Sequence, residues 1–249
     1  MWNRYRNFFA LLLVLSIIAN LWCLIRHYEH SIMAIILGEP IKQVNTNEKV
    51  IALTFDDGPN PPYTEQILEL LYQNNAKATF FVTGRKVKEY PSVFKKIFLY
   101  GNEVGNHTWD HQRLDNKSRG YIEEQIALTD KIIRDMGYQG NIYFRSPYGS
   151  QSYGIQYVLK KMNKKFILYN MSFTDWDNPF MERPELVKIS KIFEIPSGSI
   201  VVLHDGGGDR HSTVELVELI LKKYQSKGYK FITVSELLSY QNQKVGTGF

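Results

Sequence analysis

From residue 50 onward, short β-rich apolar runs alternate with longer stretches whose apolar positions recur at helical spacing. The runs Val50–Phe55, Ala78–Val82, Glu103–Asn106, Ile142–Phe144, Phe166–Met171, Ser199–Leu203 and Lys230–Val234 predict strands. Tyr63–Gln73, Tyr90–Tyr100, Arg119–Met136, Ser152–Met162, Pro184–Phe193 and Thr213–Ser226 predict helices. Ser212-Thr213 is placed to start one of them, and Gly137 and Gly228 to end two others. Such alternation implies right-handed βα units and a parallel sheet. No Gly-x-Gly-x-x-Gly follows the first strand and no Gly-Lys-Ser/Thr loop is present. The seven candidate strands therefore point to an α/β fold with a parallel barrel, complete or incomplete, rather than a nucleotide-binding open sheet.

Ahead of this region, Phe8 to Ile25 is apolar for about one bilayer span, interrupted only by Ser16 and Asn20. Arg4 and Arg6 precede it and Arg26 follows, a bias that favours an N-terminus on the cytoplasmic side. No small-x-small cleavage site stands after the run, which favours a retained anchor over a removed signal peptide. The expected organisation is a membrane anchor over 1–26 and a stem over 27–48, broken at Pro40. A single α/β domain over 49–240, outside the cytoplasm, and a tail over 241–249 complete it.

At 44% hydrophobic and 14% aromatic the 249-residue chain can bury a large core, which excludes disorder. The net charge of +5 is dispersed, with only pairs such as Lys95-Lys96 and Lys222-Lys223, so a nucleic-acid partner is not expected. The single cysteine, Cys23, allows no internal disulfide, and bulky Trp22 before it argues against lipid attachment. Nothing in the sequence fixes an oligomeric state, and a monomer is assumed.

The chemistry begins at Thr54-Phe55-Asp56-Asp57-Gly58-Pro59, where two adjacent carboxylates end a buried strand. Like charges there repel and are costly to desolvate, and a divalent cation is the usual remedy. His107-Thr108-Trp109-Asp110-His111 adds two imidazoles at i and i+4. Asp57, His107 and His111 would give a metal three protein ligands and leave positions open, as in a catalytic zinc site. The same donors suit cobalt, iron or manganese. Arg145, Asp175 and His204-Asp205 also follow predicted strands, so groups far apart in sequence would meet on one rim of the sheet.

Thr54–Pro59, His107–His111, Arg145-Ser146-Pro147-Tyr148-Gly149, Asp175-Trp176 and Leu203-His204-Asp205 occur in this order. Together they resemble the five motifs of the polysaccharide deacetylases, the NodB-homology or carbohydrate esterase family 4 group. The resemblance spans about Lys49 to Leu238. It implies a distorted (β/α) barrel and removal of acetate from N-acetylglucosamine units or from O-acetylated sugars. By the same resemblance, Asp57, His107 and His111 hold a divalent metal, zinc first among candidates, and Asp56 is the general base. Arg145 orients Asp56, and the Tyr148 backbone N–H binds the oxyanion. His204 is the general acid, Asp175 holds His204 or Arg145, and Leu203 with Trp176 encloses the acetyl methyl. Asp177 could stand in for Asp175, and Asp205 receives no catalytic role. Cell-wall peptidoglycan is the leading substrate, with chitin-type oligomers or acetylated xylan as alternatives. Two rival classes remain: a non-catalytic wall-binding module on this fold, and an iron(II) oxygenase, whose ligands ordinarily come from a β-jelly-roll.

Overall fold

In the computed structural model the described residues are 2–173, 175, 176, 182, 185–188 and 194–243, with the side chains of 2–11, 26, 27, 29–31, 242 and 243 excepted. Every residue of β1 (Val50–Asp56) is buried, as suits a strand covered on both faces. It lies at the centre of a six-stranded sheet with β2 (Ala78–Val82), β3 (Glu103–Asn106), β4 (Met171–Ser172), β5 (Ser199–His204) and β6 (Lys230–Phe231). The order is β3-β2-β1-β5-β4, and β6 pairs with the start of β1. All pairs are parallel.

The expected strand at Ile142–Phe144 is reduced to single bridges, from Phe144 to Asn106 and to Phe166. The segment that begins at Phe166 reaches β5 again at Met171. The pairing thus passes round from β3 to β4 with isolated bridges where a regular barrel would have full strands. The regular sheet has six strands and not seven because only one residue of 142–144 joins a ladder.

Helices cover the sheet: α2 (Tyr63–Gln73), α3 (Gly84–Glu89), α4 (Pro91–Leu99), α5 (Arg119–Asp135), α6 (Tyr153–Lys161), α7 (His211–Ser226) and α8 (Val234–Gln243). Local chemistry sets their ends. Ser118 and Ser152 cap α5 and α6 by accepting from Tyr121 N and Ile155 N. Pro91 opens α4, where a missing N–H costs nothing. In α2 the inward residues Ile67, Leu68 and Leu71 are buried, so the helix is held by its apolar stripe. The main core includes Phe55 and Phe80, stacked at 4.9 Å between centroids. Residues 185–188 are helical, and the rest of the expected 184–193 helix lies outside the described residues.

The chain forms two units, 1–39 and 40–249. The first is the helix α1 (Trp2–Leu37), which runs on into the expected stem. The apolar side chains over 12–25 are exposed, Leu13 at 64% and Trp22 at 63% among them. Among the described residues no helix is long and apolar enough to cross a membrane, so the structure does not show the expected anchor. The second unit takes up the end of the expected stem: Ile41 bridges to Ile167, Gln43 bridges to Ser199, and Val44 is buried.

Candidate active site

The polar residues converge because each follows the C-terminal end of a strand or bridge. Asp56 ends β1, His204 ends β5, and the two are direct partners in the parallel register. His107 follows β3 and extends its pairing by donating from its backbone N to Val82 O at 2.9 Å. Arg145 follows the bridge residue Phe144, and Asp175 lies three residues past β4.

Asp57, His107 and His111 present ligand atoms within 4.8 Å of one another. His107 Nε2 lies 3.4 Å and His111 Nε2 3.0 Å from Asp57 Oδ1. His107 Nδ1 is 2.9 Å from the Arg145 carbonyl oxygen, which can only accept, so Nδ1 carries the proton. Nε2 then turns a bare lone pair toward Asp57 Oδ1 and, at 3.8 Å, Asp56 Oδ2. Asp57 Oδ1 is buried without a hydrogen-bond partner. Lone pairs facing one another in this way are unfavourable until a cation lies between them, so the residues fit a divalent metal. Burial opposes the charge on Asp57, but where the imidazoles are protonated their N–H groups and charge outweigh it and hold the carboxyl well below the usual range.

The backbone here is unusual. Asp57 (φ 77), Thr108 (φ 69), His111 (φ 59) and Tyr148 (φ 57) all adopt the left-handed region that glycine favours. Each such residue costs of order 1–3 kcal/mol and persists only where its surroundings over-determine it. Thr108 shows how. Its N–H donates to Asn106 Oδ1 at 2.9 Å, and its Oγ1 accepts from His111 N at 3.1 Å.

Arg145 is wholly buried. Its Nη1 donates to Asp56 Oδ1 at 2.7 Å and to Thr54 Oγ1 at 2.6 Å, and its Nη2 donates to Leu168 O at 3.1 Å. The guanidinium carbon lies 4.1 Å from the Phe81 ring centre. On the other flank, Asp175 accepts from His204 N at 2.8 Å and from Thr213 Oγ1 at 2.8 Å, while its Oδ1 is 3.0 Å from His204 Nδ1. That leaves His204 Nε2 as the nitrogen available for proton transfer. Burial opposes the imidazolium, yet Asp175, with Asp56 and Asp57 behind it, raises His204 above the usual histidine range. Asp177 lies outside the described residues.

Tyr148 is 59% exposed, its ring 4.7 Å from His111, and its N–H takes no partner among the described residues. Trp176 is half-exposed, with its ring 5.0 Å from His204. Leu203 belongs to the main core and is fully buried beneath the site.

Sequence reasoning missed Thr54 and Thr213. Thr213 stood out only as a helix start, but α7 begins at His211, whose N–H goes to Asp209 Oδ1, and the Thr213 hydroxyl serves Asp175. Asp205 is also more involved than expected. It is buried, and burial pushes its carboxyl up to about 7.

A family model described as polysaccharide deacetylase matches residues 43–167. The chain is 40% identical to a peptidoglycan-N-acetylglucosamine deacetylase of Bacillus cereus over 204 residues, covering 80% of this chain and 93% of that one. The chain belongs to the polysaccharide deacetylase family. This family of metal-dependent hydrolases also supplies a chitooligosaccharide deacetylase of Azorhizobium caulinodans, 32% identical, with 78% of this chain and 96% of the relative covered. Among solved structures, a CE4 family pseudoenzyme from Bacillus anthracis superposes with a TM-score of 0.73 at 30% identity, covering 80% and 69% of the two chains. The fold and the Asp-His-His cluster are thus those of a polysaccharide deacetylase.

Proposed function

We propose that this polysaccharide deacetylase removes the N-acetyl group from N-acetylglucosamine-type residues of cell-wall peptidoglycan, releasing acetate and leaving a free amine. The observation that carries this reading is the pairing of Asp56 with His204 across β1 and β5, the first held by Arg145 and the second by Asp175. A base and an acid then stand side by side next to the Asp57, His107 and His111 cluster.

Asp57, His107 and His111 would hold a divalent ion, zinc first and cobalt or another ion compatible, which would supply Lewis acidity toward the acetyl carbonyl and acidify adjacent water. Arg145 occupies Asp56 Oδ1, so Oδ2 remains to accept the proton of the attacking water. The free N–H of Tyr148 donates to the oxygen on which negative charge develops, a role worth roughly 3 kcal/mol. His204 passes a proton from Nε2 to the departing amine, which is needed because an amine anion is a poor leaving group. Trp176 borders the acetyl methyl against His204, with Leu203 as the apolar floor.

Acetate release from peptidoglycan, chitooligosaccharide and acetylated xylan, with and without chelator and added zinc or cobalt, tests the reading. Peptidoglycan should be preferred and chelation should abolish release. Preference for either other substrate replaces the proposed glycan. A second reading, a non-catalytic wall-binding module, is favoured by the likeness to a pseudoenzyme. Binding to peptidoglycan without acetate release, with the ion bound, would establish it.

The proposal places the domain outside the cytoplasm on an anchor formed by residues 8–25. The support is that run's apolar character, interrupted only by Ser16 and Asn20, and the exposure of its described side chains. Membrane fractionation and protease added from outside check this placement.

A further inference from the structure

Asp205 is a buried acid to which the proposed mechanism gives no task, and it lies behind the carboxylate pair. Its backbone N–H and that of Gly206 both donate to Asp56 O, at 3.2 Å each. Its Oδ2 accepts from Thr64 Oγ1 at 2.5 Å, and its carbonyl oxygen accepts from Asn60 Nδ2 at 3.1 Å. The carboxyl group fills the space a side chain on Gly58 would need. A Cβ on Gly206 would in turn collide with the backbone C and O of Asp57. Asp57 is therefore enclosed: Asp56 and Gly58 are both braced by Asp205, and its own carbonyl packs on Gly206. This is the residue that carries the metal-facing carboxylate at φ 77.

We propose that Asp205 is a positioning residue which, with Gly206, holds the left-handed backbone of Asp57 and so sets the ligand geometry at Asp57, His107 and His111. The clamp acts through the backbone on each side of the ligand and needs no contact with the ion. Both carboxyl oxygens stand against Gly58, and Oδ2 also takes the Thr64 hydroxyl, so Asp205 is a wall to the one and an acceptor to the other. Arg210 secures the far end of the same loop by donating to Gly206 O at 2.5 Å and Gly207 O at 3.1 Å. The inference rests on the metal site of the proposed function, but not on which glycan is the substrate.

The test is zinc affinity of the metal-free full chain by calorimetry, with thermal unfolding of the same metal-free samples. Asp205→Ala should weaken zinc binding about 10- to 100-fold, the range found when groups supporting a ligand are removed. Asp205→Asn keeps the shape and the Thr64 contact and should bind within about 3-fold of the native chain, the rescue expected of a wall. Gly206→Ala, which leaves Asp205 intact, should weaken zinc binding through the collision with Asp57. Native zinc affinity in Asp205→Ala or Gly206→Ala overturns the proposal, as does equal loss in Asp205→Ala and Asp205→Asn. If Asp205→Ala does not fold, Gly206→Ala and Asp205→Asn decide. Because no glycan is present, failure here is separate from failure of the peptidoglycan reading, which would show as absent acetate release at native zinc affinity.

Discussion

Asp175 holds His204 at two points, taking its backbone N–H on one oxygen at 2.8 Å and facing ring Nδ1 with the other at 3.0 Å. The first contact fixes where the imidazole stands, and the second fixes its proton. The same pair raises His204, so the protonated acid persists above the ordinary histidine pKa of about 6.5. Activity should therefore fall as pH rises through the folded value. Asp175→Asn removes the largest raising influence and should move the alkaline limb of the kcat profile toward acid, with kcat at neutral pH reduced roughly 10²- to 10⁴-fold. An unmoved limb would show that another group sets it. The folding contribution has the same sign: it is complete below about pH 6.5 and is lost as pH rises through the folded pKa.

The adjacent carboxylates should part company under substitution. Asp57→Asn should lose the metal, because Asp57 Oδ1 is the carboxylate oxygen that faces both Nε2 nitrogens. Asp56→Asn should retain the metal and lose turnover by about 10²-fold or more. Metal content by elemental analysis beside acetate release distinguishes them, and equal metal loss in both would falsify the division of labour.

Arg145 is a buried cation whose charge is balanced by Asp56 at 2.7 Å. Arg145→Met leaves Asp56, Thr54 Oγ1 and Leu168 O without that donor. Removing one member of a buried pair costs about 3–5 kcal/mol, so urea unfolding should show a loss of that order. A change under 1 kcal/mol is the contrary result.

Far from the chemistry, Glu103 is buried at the start of β3, where it accepts from Thr79 Oγ1 at 2.7 Å and from Ser235. Burial raises its pKa, and the surrounding hydrogen bonds only partly offset this. Below about pH 4.3, the ordinary glutamate value, folded and unfolded chains are both protonated. Above it the unfolded chain releases its proton first, so stability falls until the folded carboxyl ionises too. Glu103→Gln should stabilise the fold at pH 8 by about 1 kcal/mol, a Tm gain of ~3 °C at this size, and the gain should vanish near pH 4. Calorimetric melts at both pH values measure it.

Much of this architecture was legible in the sequence. Ala78–Val82, Glu103–Asn106 and Tyr63–Gln73 have the bounds that apolar pattern and turn signals imply. Asp57, His107 and His111 meet as their positions after strand ends require. The misses have local causes. Ile142–Phe144 has the composition of a strand but forms ladder bridges at Phe144 only. Gly84–Glu89 is too short and polar for periodicity to reveal. Thr54 and Thr213 gave no signal because a hydroxyl's partner is a matter of tertiary placement: one lies under Arg145 and the other under Asp175.

The left-handed residues at the site set selection for durability against selection for chemistry. Glycine at 57, 108, 111 or 148 would relax the main chain, by of order 1 kcal/mol each, while deleting a ligand, its support or the exposed ring. A library screened only for survival on heating should enrich glycine at these four positions, and one screened for acetate release should purge it. The sites where the two screens disagree would outline the catalytic centre without any structure.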